Sequence, residues 1–169
     1  LLLDGAHNPA AALVLAEYLA GWSAARPEAR LILVLGMMRD KDHEHFVEPL
    51  HRLVSEVVLT QADMARSATA LELHHTIGSR FRRCHVAPNA AEALALARTC
   101  AGPQDLICVT GSLMLVGEVK ALVAAVVAEL GGLDVAVNNV GEARPDGQLK
   151  YDDSQWGYGA NLGVLVEPK

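Results

Sequence analysis

Three short polar segments of this sequence carry groups that could bind a nucleotide or an acidic substrate. Each follows an apolar run and precedes a predicted helix, and a helix N-terminus offers free N–H groups and a positive dipole end to an anion. Their side chains add an imidazole, an ammonium group and a hydroxyl, which can pair with or hydrogen-bond to phosphate and carboxylate oxygens, and a carboxylate, which can accept hydrogen bonds from hydroxyl groups. The segments are Asp-Gly-Ala-His-Asn-Pro at residues 4–9, Gly-Met-Met-Arg-Asp-Lys-Asp at residues 36–42 and Thr-Gly-Ser at residues 110–112.

The first segment has the pattern of a strand, a loop and a helix start. Three leucines lead into Asp4, and Asn8 followed by Pro9 is typical of an N-cap and the first helical position. In open α/β sheets the carboxyl ends of the strands form the crevice that holds ligands, so Asp4 and His7 are predicted to face it. Spacing alone leaves another interpretation open, in which Asp4 caps its own turn and His7 is a half-buried loop histidine.

The second and third segments have the same local arrangement. Residues 39–42 are four successive charges that follow a continuous apolar run, which is typical of a parallel strand buried on both faces. Lys41 is therefore predicted at the same edge as Asp4, although a solvated loop before a helix is the alternative. Ser112 follows another buried-type strand, where its hydroxyl could bind an anion or simply cap the next helix.

The remaining pattern alternates strands with helices, which predicts an α/β, Rossmann-like, mostly parallel sheet with helices on both faces. Strands are predicted at residues 1–4, 30–36, 56–60, 84–86 and 105–109, and helices at residues 9–22, 43–54, 68–77, 89–101 and 113–130.

Composition excludes several classes of protein. The net charge is −6, which argues against nucleic acid or an anionic membrane as a partner. The cluster Arg80, Arg82 and Arg83 is predicted to be a solvated edge. The apolar stretch at residues 121–128 is shorter than the ~20 residues of a membrane span. Three cysteines without CxxC spacing indicate reduced thiols and a cytoplasmic protein.

The histidines offer no obvious metal site. The pairs His43 and His45, and His74 and His75, lack a zinc-type pattern of Cys, His and carboxylate ligands. We therefore predict no metal ligands in this chain. The sequence also starts without Met inside an apolar run, which leads us to expect the downstream portion of a longer protein.

Taken in order, the three segments resemble the C-terminal domain of the folylpolyglutamate synthase and dihydrofolate synthase family, relatives of the Mur ligases. The resemblance extends through Val-Gly-Glu-Val at residues 116–119. Two positions depart from the family pattern: Ala65 stands before Arg66 where Pro is usual, and Met114 stands where an aromatic residue is frequent. The second departure affects the expected shape of the substrate pocket.

The resemblance implies an ATP-dependent amide ligase. Enzymes of this family use ATP and magnesium to form an acyl phosphate on a folate or dihydropteroate carboxylate, which the amine of L-glutamate then attacks. By resemblance, Asp4 would contact the ribose of ATP and His7 its phosphates, while Lys41 and Ser112 would position glutamate. The phosphate-binding loop and magnesium ligands belong to the family's N-terminal ATPase domain, so no complete catalytic set is expected here and the chain alone is expected to be inactive.

The tail resembles a different family. Residues 130–141 are similar to the Leu-Asp-Val-x-Val-Asn-Asn-Ala-Gly strand of short-chain dehydrogenases, and Trp156 and residues 161–163 are similar to that family's next helix. The dinucleotide loop and the Tyr-x-x-x-Lys pair of those enzymes are absent. We therefore predict a ligase-type domain at residues 1–125 and an appended tail at residues 126–169. The alternatives are a fragment of an NAD(P)-dependent oxidoreductase and a noncatalytic fusion remnant.

Overall fold

The computed structural model describes residues 1–130, 135–139 and 162–166, with side chains through residue 125. The chain forms one seven-stranded sheet covered by five helices in these residues, and the predicted α/β, Rossmann-like class is confirmed. In chain order the elements are β1 (Leu2–Asp4), α1 (Pro9–Ala25), β2 (Leu31–Leu35), α2 (His43–Val47), β3 (Glu56–Leu59), α3 (Ala70–Ile77), a 3₁₀ turn (Gly78–Arg80), β4 (Cys84–Val86), α4 (Ala90–Cys100), β5 (Leu106–Thr110), α5 (Leu113–Leu130), β6 (Val135–Asn139) and β7 (Leu162–Val166).

The strand order is β4-β3-β2-β5-β1-β7-β6. The first five of these strands pair in parallel, with Leu33 opposite Cys108 between β2 and β5 and Leu3 opposite Val109 between β1 and β5. Strand β7 runs antiparallel to β1, and β6 runs antiparallel to β7. Every residue of β2 and β5 is buried, because helices cover both faces of the parallel part.

Two apolar cores lie on the two faces of the sheet. Successive residues of a strand point to opposite faces, so Leu33 packs in one core and Val34 in the other. The first core receives apolar side chains of α1, α2 and α3, such as Leu19, Phe46 and Leu73. The second is built largely on alanines of α4 and on α5, which brings those helices close to the strands.

Local sequence explains where most helices begin. Asn8 caps α1 by accepting the Ala11 N–H at 2.9 Å, and Pro9 follows it as predicted. Helix α3 begins at Ala70, two residues later than predicted, because Thr69 and Glu72 form a reciprocal capping box there.

The predicted helix at residues 43–54 is wrong in its length. Helix α2 ends at Val47, and turns follow to Leu53. Pro49 has no N–H to donate to the carbonyl oxygen of His45, which interrupts the hydrogen bonds of the helix at this position.

The domain boundary predicted at residue 125 stays a prediction. Helix α5 runs through that position, and β6 and β7 extend the same sheet. Residues 131–134, 140, 141, 156 and 161 of the dehydrogenase-like pattern lie outside the described residues. Residues 162–163, which were expected to belong to a helix, lie in strand β7. No helix in the described part of the chain is both long and apolar enough to cross a lipid bilayer.

Candidate functional site

The first and third polar segments are joined at the carboxyl ends of β1 and β5. The carbonyl oxygen of Ala6 accepts the Gly111 N–H at 2.9 Å and the Thr110 hydroxyl at 3.3 Å. The Gly36 N–H, at the end of β2, donates to the carbonyl oxygen of Thr110 at 3.3 Å. The three predicted segments therefore end at the same edge of the sheet, as the parallel strands require.

Glycine is required where these segments come closest. Gly111 has φ +97, and a Cβ atom there would lie 2.6 Å from the carbonyl oxygen of Gly36 and 2.6 Å from Cδ1 of Leu35. Both the positive φ and the contact with backbone disfavour any side chain. Gly111 thus lets the β5–α5 turn pack directly on the end of β2.

Asp4 is buried at the carboxyl end of β1. It is only 6% exposed, and its Oδ1 accepts the Ala6 N–H at 2.8 Å. Burial raises its pKa above the ordinary value, although the hydrogen bonds from Ala6 and Thr110 act in the opposite direction. Asp4 is buried because β1 lies inside the sheet, between β5 and β7. Asp4 caps its own turn, which was the local interpretation that spacing left open.

His7 lies at the surface end of the same turn and is half-buried. Its Nδ1 and the carbonyl oxygen of Gly5 are 2.9 Å apart, a distance at which Nδ1–H donates to the carbonyl. That hydrogen bond selects the tautomer and leaves Nε2 as the ring atom that can meet a ligand. His7 directly precedes the Asn8 cap of α1, so it lies beside a helix N-terminus.

The segment after β2 turns from the core to the surface. Met37 and Met38 are buried, whereas Arg39 and Asp40 are exposed. The segment is pinned to the chain before α3, because the Arg39 N–H donates to the carbonyl oxygen of Arg66 at 2.9 Å. These contacts hold the charged residues at the carboxyl edge of the sheet, as predicted.

Lys41 lines an open depression of about 640 Å³ at this edge. Its Nζ is 3.9 Å from Oδ2 of Asp40, too long for a hydrogen bond. Asp42 caps α2, and its bonds from the N–H and the ring of His45 lower the pKa of its carboxyl group. The depression is lined by Arg39, Lys41, Asp42, His43, Glu44, His45, Ala68, Glu72 and Thr76.

Several of these lining residues were not singled out in the sequence. Arg39 Nε lies 3.3 Å from Oε1 of Glu72, which belongs to α3 and is far away along the chain. Nε2 of His43 is 2.9 Å from the carbonyl oxygen of Met38. Only the tertiary contact between the β2–α2 segment and α3 brings these side chains around one depression.

Ser112 is buried and its hydroxyl is already engaged. It is 3% exposed, and its Oγ accepts the Met114 N–H at 3.2 Å. This is the helix-capping interpretation that the sequence left open. Ser112 does not line the depression beside Lys41, and neither do Asp4 or His7. The structure therefore places all four residues at one edge, with Lys41 separated from the β1–β5 group.

A further group of polar side chains lies at the amino ends of the strands and was missed in the sequence. Glu56, His85 and Cys100 place three potential ligand atoms within 4.8 Å of one another. Their separation along the chain gives no local pattern, so sequence spacing had no signal for them.

The fold is that of a doubly wound α/β domain, and its candidate site lies at the carboxyl ends of the parallel strands, where such domains bind ligands. Residues 1–113 match the family model "Mur ligase, glutamate ligase domain". The chain belongs to this family.

Three relatives show where the chain fits. It is 37% identical over 122 residues to the "Probable bifunctional folylpolyglutamate synthase/dihydropteroate synthase" of Haloferax volcanii, covering 71% of this chain and 14% of that protein. The solved structure of E. coli FolC in complex with DHPP and ADP superposes with a TM-score of 0.64 at 28% identity, covering 72% of this chain and 28% of that one. The Yersinia pestis folylpolyglutamate synthase/dihydrofolate synthase complexed with AMPPNP and Mn ion superposes with a TM-score of 0.62 at 28% identity, covering 71% of this chain and 27% of that one.

The chain spans about a quarter or less of the length of these relatives. The family match stops at residue 113, and these matches give no support to the resemblance between the tail and short-chain dehydrogenases. In the described residues, β6 pairs antiparallel with β7, whereas the strands of a dinucleotide-binding sheet are mostly parallel.

Proposed function

We propose that this chain is the C-terminal, glutamate-binding domain of an ATP-dependent folylpolyglutamate or dihydrofolate synthase, which adds L-glutamate to a folate or dihydropteroate carboxylate. The observation that carries the proposal is the family match over residues 1–113, which includes all three polar segments that the fold brings to one edge. Relatives whose structures hold ADP, or AMPPNP and Mn ion, support ATP and a divalent metal as ligands of the complete enzyme.

Lys41 is the residue that fits a glutamate-positioning role most directly. Lys41 lines a depression, and its ammonium group makes no hydrogen bond to the neighbouring Asp40 carboxylate. It can therefore donate to a carboxylate of the incoming glutamate and orient its amine. Arg39, although it lines the same depression, is paired with Glu72 and contributes less available charge.

The buried Ser112 fits an indirect role better than direct contact with glutamate. Because its hydroxyl holds the first turn of α5, it positions the backbone N–H groups of that helix start. Any contribution to glutamate binding would then pass through the β5–α5 turn.

His7, rather than Asp4, would contact ATP directly. The Nε2 atom of His7 fits a phosphate oxygen, since Nδ1 is committed to Gly5. The buried Asp4 fits a positioning role, in which it holds the turn that carries His7. ATP supplies the phosphoryl group of the acyl phosphate when the complete enzyme is assembled.

We assign the magnesium ligands, and the loop that cradles the phosphates, to an N-terminal ATPase domain, as the family resemblance implies. The expectation of a cytoplasmic protein stays a prediction.

The decisive experiment is a chimera in which residues 1–125 replace the corresponding domain of the E. coli enzyme. We expect ADP formation that requires both the pterin substrate and L-glutamate. Lys41→Ala should raise the KM for glutamate at least about tenfold, the effect of losing one charged hydrogen bond, and leave the KM for ATP within about twofold. Lys120→Ala, at an exposed position on α5, is the matched control and should change neither.

Equal effects of Lys41→Ala on the two KM values would refute the glutamate-positioning role. A chimera that folds but forms no ADP with either pterin substrate would refute the proposed activity. Titration of the 169-residue chain with L-glutamate, followed by amide NMR shifts of residues 38–45, gives an independent reading that does not depend on the chimera.

A further inference from the structure

A compact polar cluster lies at the edge of the sheet opposite the ligase-type site. Glu56 is the first residue of β3, His85 is the middle residue of β4 and Cys100 is the last residue of α4. One ligand atom of each lies within 4.8 Å of the other two, and Oε2 of Glu56 is 3.1 Å from Nε2 of His85. Glu56 is only 5% exposed, and the other two residues are half-buried.

Two arginines hold this cluster in position. Nη1 of Arg30 and Nη1 of Arg83 lie 3.3 Å and 3.0 Å from Oε1 of Glu56. Nη2 of Arg30 also donates to the carbonyl oxygen of Cys100 at 2.7 Å, which fixes the end of α4 beside β3. Both arginines use the same carboxylate oxygen, so Oε2 is the one that faces His85.

We propose that Oε2 of Glu56, Nε2 of His85 and Sγ of Cys100 form a binding site for Zn²⁺ or a similar borderline-soft divalent ion. Carboxylate, imidazole and thiolate are the three ligand types that zinc takes in proteins, and hard cations such as Mg²⁺ do not favour sulfur. Three protein ligands leave a fourth tetrahedral position for water. The site is separate from the carboxyl-edge site and does not depend on the proposed ligase function.

Binding requires one proton to leave the cluster. Burial and the neighbouring Glu56 raise the pKa of the Cys100 thiol, so the thiol is protonated before the ion binds and its proton is released when the S–metal bond forms. His85 binds through the lone pair of Nε2, so its remaining ring proton resides on Nδ1. The charged groups around the thiol are Glu56, Arg30 and Arg83. Affinity should therefore rise with pH.

The two guanidinium groups limit the affinity without blocking the ion. A metal cation is repelled by the two guanidinium cations according to Coulomb's law, but the side chains of Arg30 and Arg83 are 43% and 63% exposed. Water screens both, and both bind the oxygen that the ion does not use. We expect weaker binding than in a structural zinc site made of four ligands.

Cobalt spectroscopy of the 169-residue chain tests the proposal directly. Co²⁺ is used as the probe, because a thiolate bound to tetrahedral Co²⁺ gives a near-ultraviolet charge-transfer band and intense visible bands. We expect both with one equivalent of Co²⁺, and their loss when Zn²⁺ is added. Cys100→Ser should abolish the charge-transfer band.

Cys84→Ser is the matched control, since Cys84 packs against the core on the opposite face of the sheet from Cys100. It should leave the bands unchanged. Absence of the bands in the wild-type chain, or their persistence in Cys100→Ser, would overturn the proposal.

Calorimetry separates an ion site from a purely structural ion-pair network. We expect His85→Ala to weaken Zn²⁺ binding at least tenfold, whereas His75→Ala, at an exposed position on α3, should not change it. Titrations in buffers of different ionisation enthalpy should give about one proton released per ion. Thermal unfolding without metal confirms that each variant is folded. Equal Zn²⁺ affinity in wild-type and His85→Ala chains would refute the ion site. The cluster would then be only an ion-pair network with Arg30 and Arg83.

Discussion

The N–H of Gly111 donates to the carbonyl oxygen of Ala6 at 2.9 Å, and this bond joins two motifs that lie at opposite ends of the ligase-type region. It places the turn after β1 against the turn after β5. The ligand edge is therefore one packed unit of backbone, and changes in its glycines should affect the whole edge.

Replacement of Gly111 by alanine should destabilise the domain by about 2 kcal/mol or more. The methyl group would lie 2.6 Å from the Gly36 carbonyl oxygen, and φ is +97. Urea denaturation measures the change in the free energy of unfolding. Gly21→Ala is the control: nothing lies within 4 Å of its Cβ position, and alanine is favoured over glycine inside a helix such as α1. A neutral Gly111→Ala variant would contradict the close packing.

Asp4 should give a distinctive pH dependence. Because burial raises its pKa above 3.8, the folded state holds the proton more tightly than the unfolded state. The contribution of Asp4 to the free energy of unfolding is therefore lost as pH rises from its pKa in the unfolded state through its raised pKa in the folded state. The stability of wild type relative to Asp4→Asn should fall as pH rises through this interval and then level off. A rise over that range, measured by urea denaturation, would contradict the effect of burial.

Asp105 should behave in the opposite way. Burial alone would raise its pKa, but hydrogen bonds from the N–H groups of Gly102 and Arg30 and from the Arg30 guanidinium lower it. Its contribution is present above the ordinary pKa and is lost as pH falls. Asp105→Asn should lower the free energy of unfolding by about 1.5–3 kcal/mol at neutral pH and by less in acid. Asp63→Asn, at an exposed position, is the control and should change the free energy of unfolding by less than about 0.5 kcal/mol.

The purified 169-residue chain should form no ADP from ATP, even with folate and L-glutamate present. Phosphoryl transfer needs a loop that cradles the β- and γ-phosphates, with a lysine and a metal that neutralise charge. No Gly-x-x-x-x-Gly-Lys-Ser/Thr motif occurs in the sequence. A coupled ADP assay provides the measurement, with the E. coli enzyme as positive control. ADP release that disappears in His7→Ala would show that this domain carries the chemistry itself.

Local sequence determined the type and order of the elements from β1 to α5. Apolar runs predicted the buried strands, and Asn8 with Pro9 predicted the start of α1, because capping and backbone preferences act within a few residues. The same reasoning placed the charged segment with Lys41 at the carboxyl end of β2. The prediction of a helix was wrong at residues 48–54, because Pro49 interrupts the hydrogen bonds of α2.

Burial and long-range proximity were decided only by the tertiary structure. Asp4 and Ser112 are polar residues in turns, and nothing nearby in the sequence shows that β1 lies inside the sheet or that both side chains are buried. The cluster of Glu56, His85 and Cys100 depends on the neighbouring positions of β3 and β4 and on the end of α4. Strand order and helix packing bring such residues together, and both arise from burial of apolar surface over the whole chain, which no local spacing records.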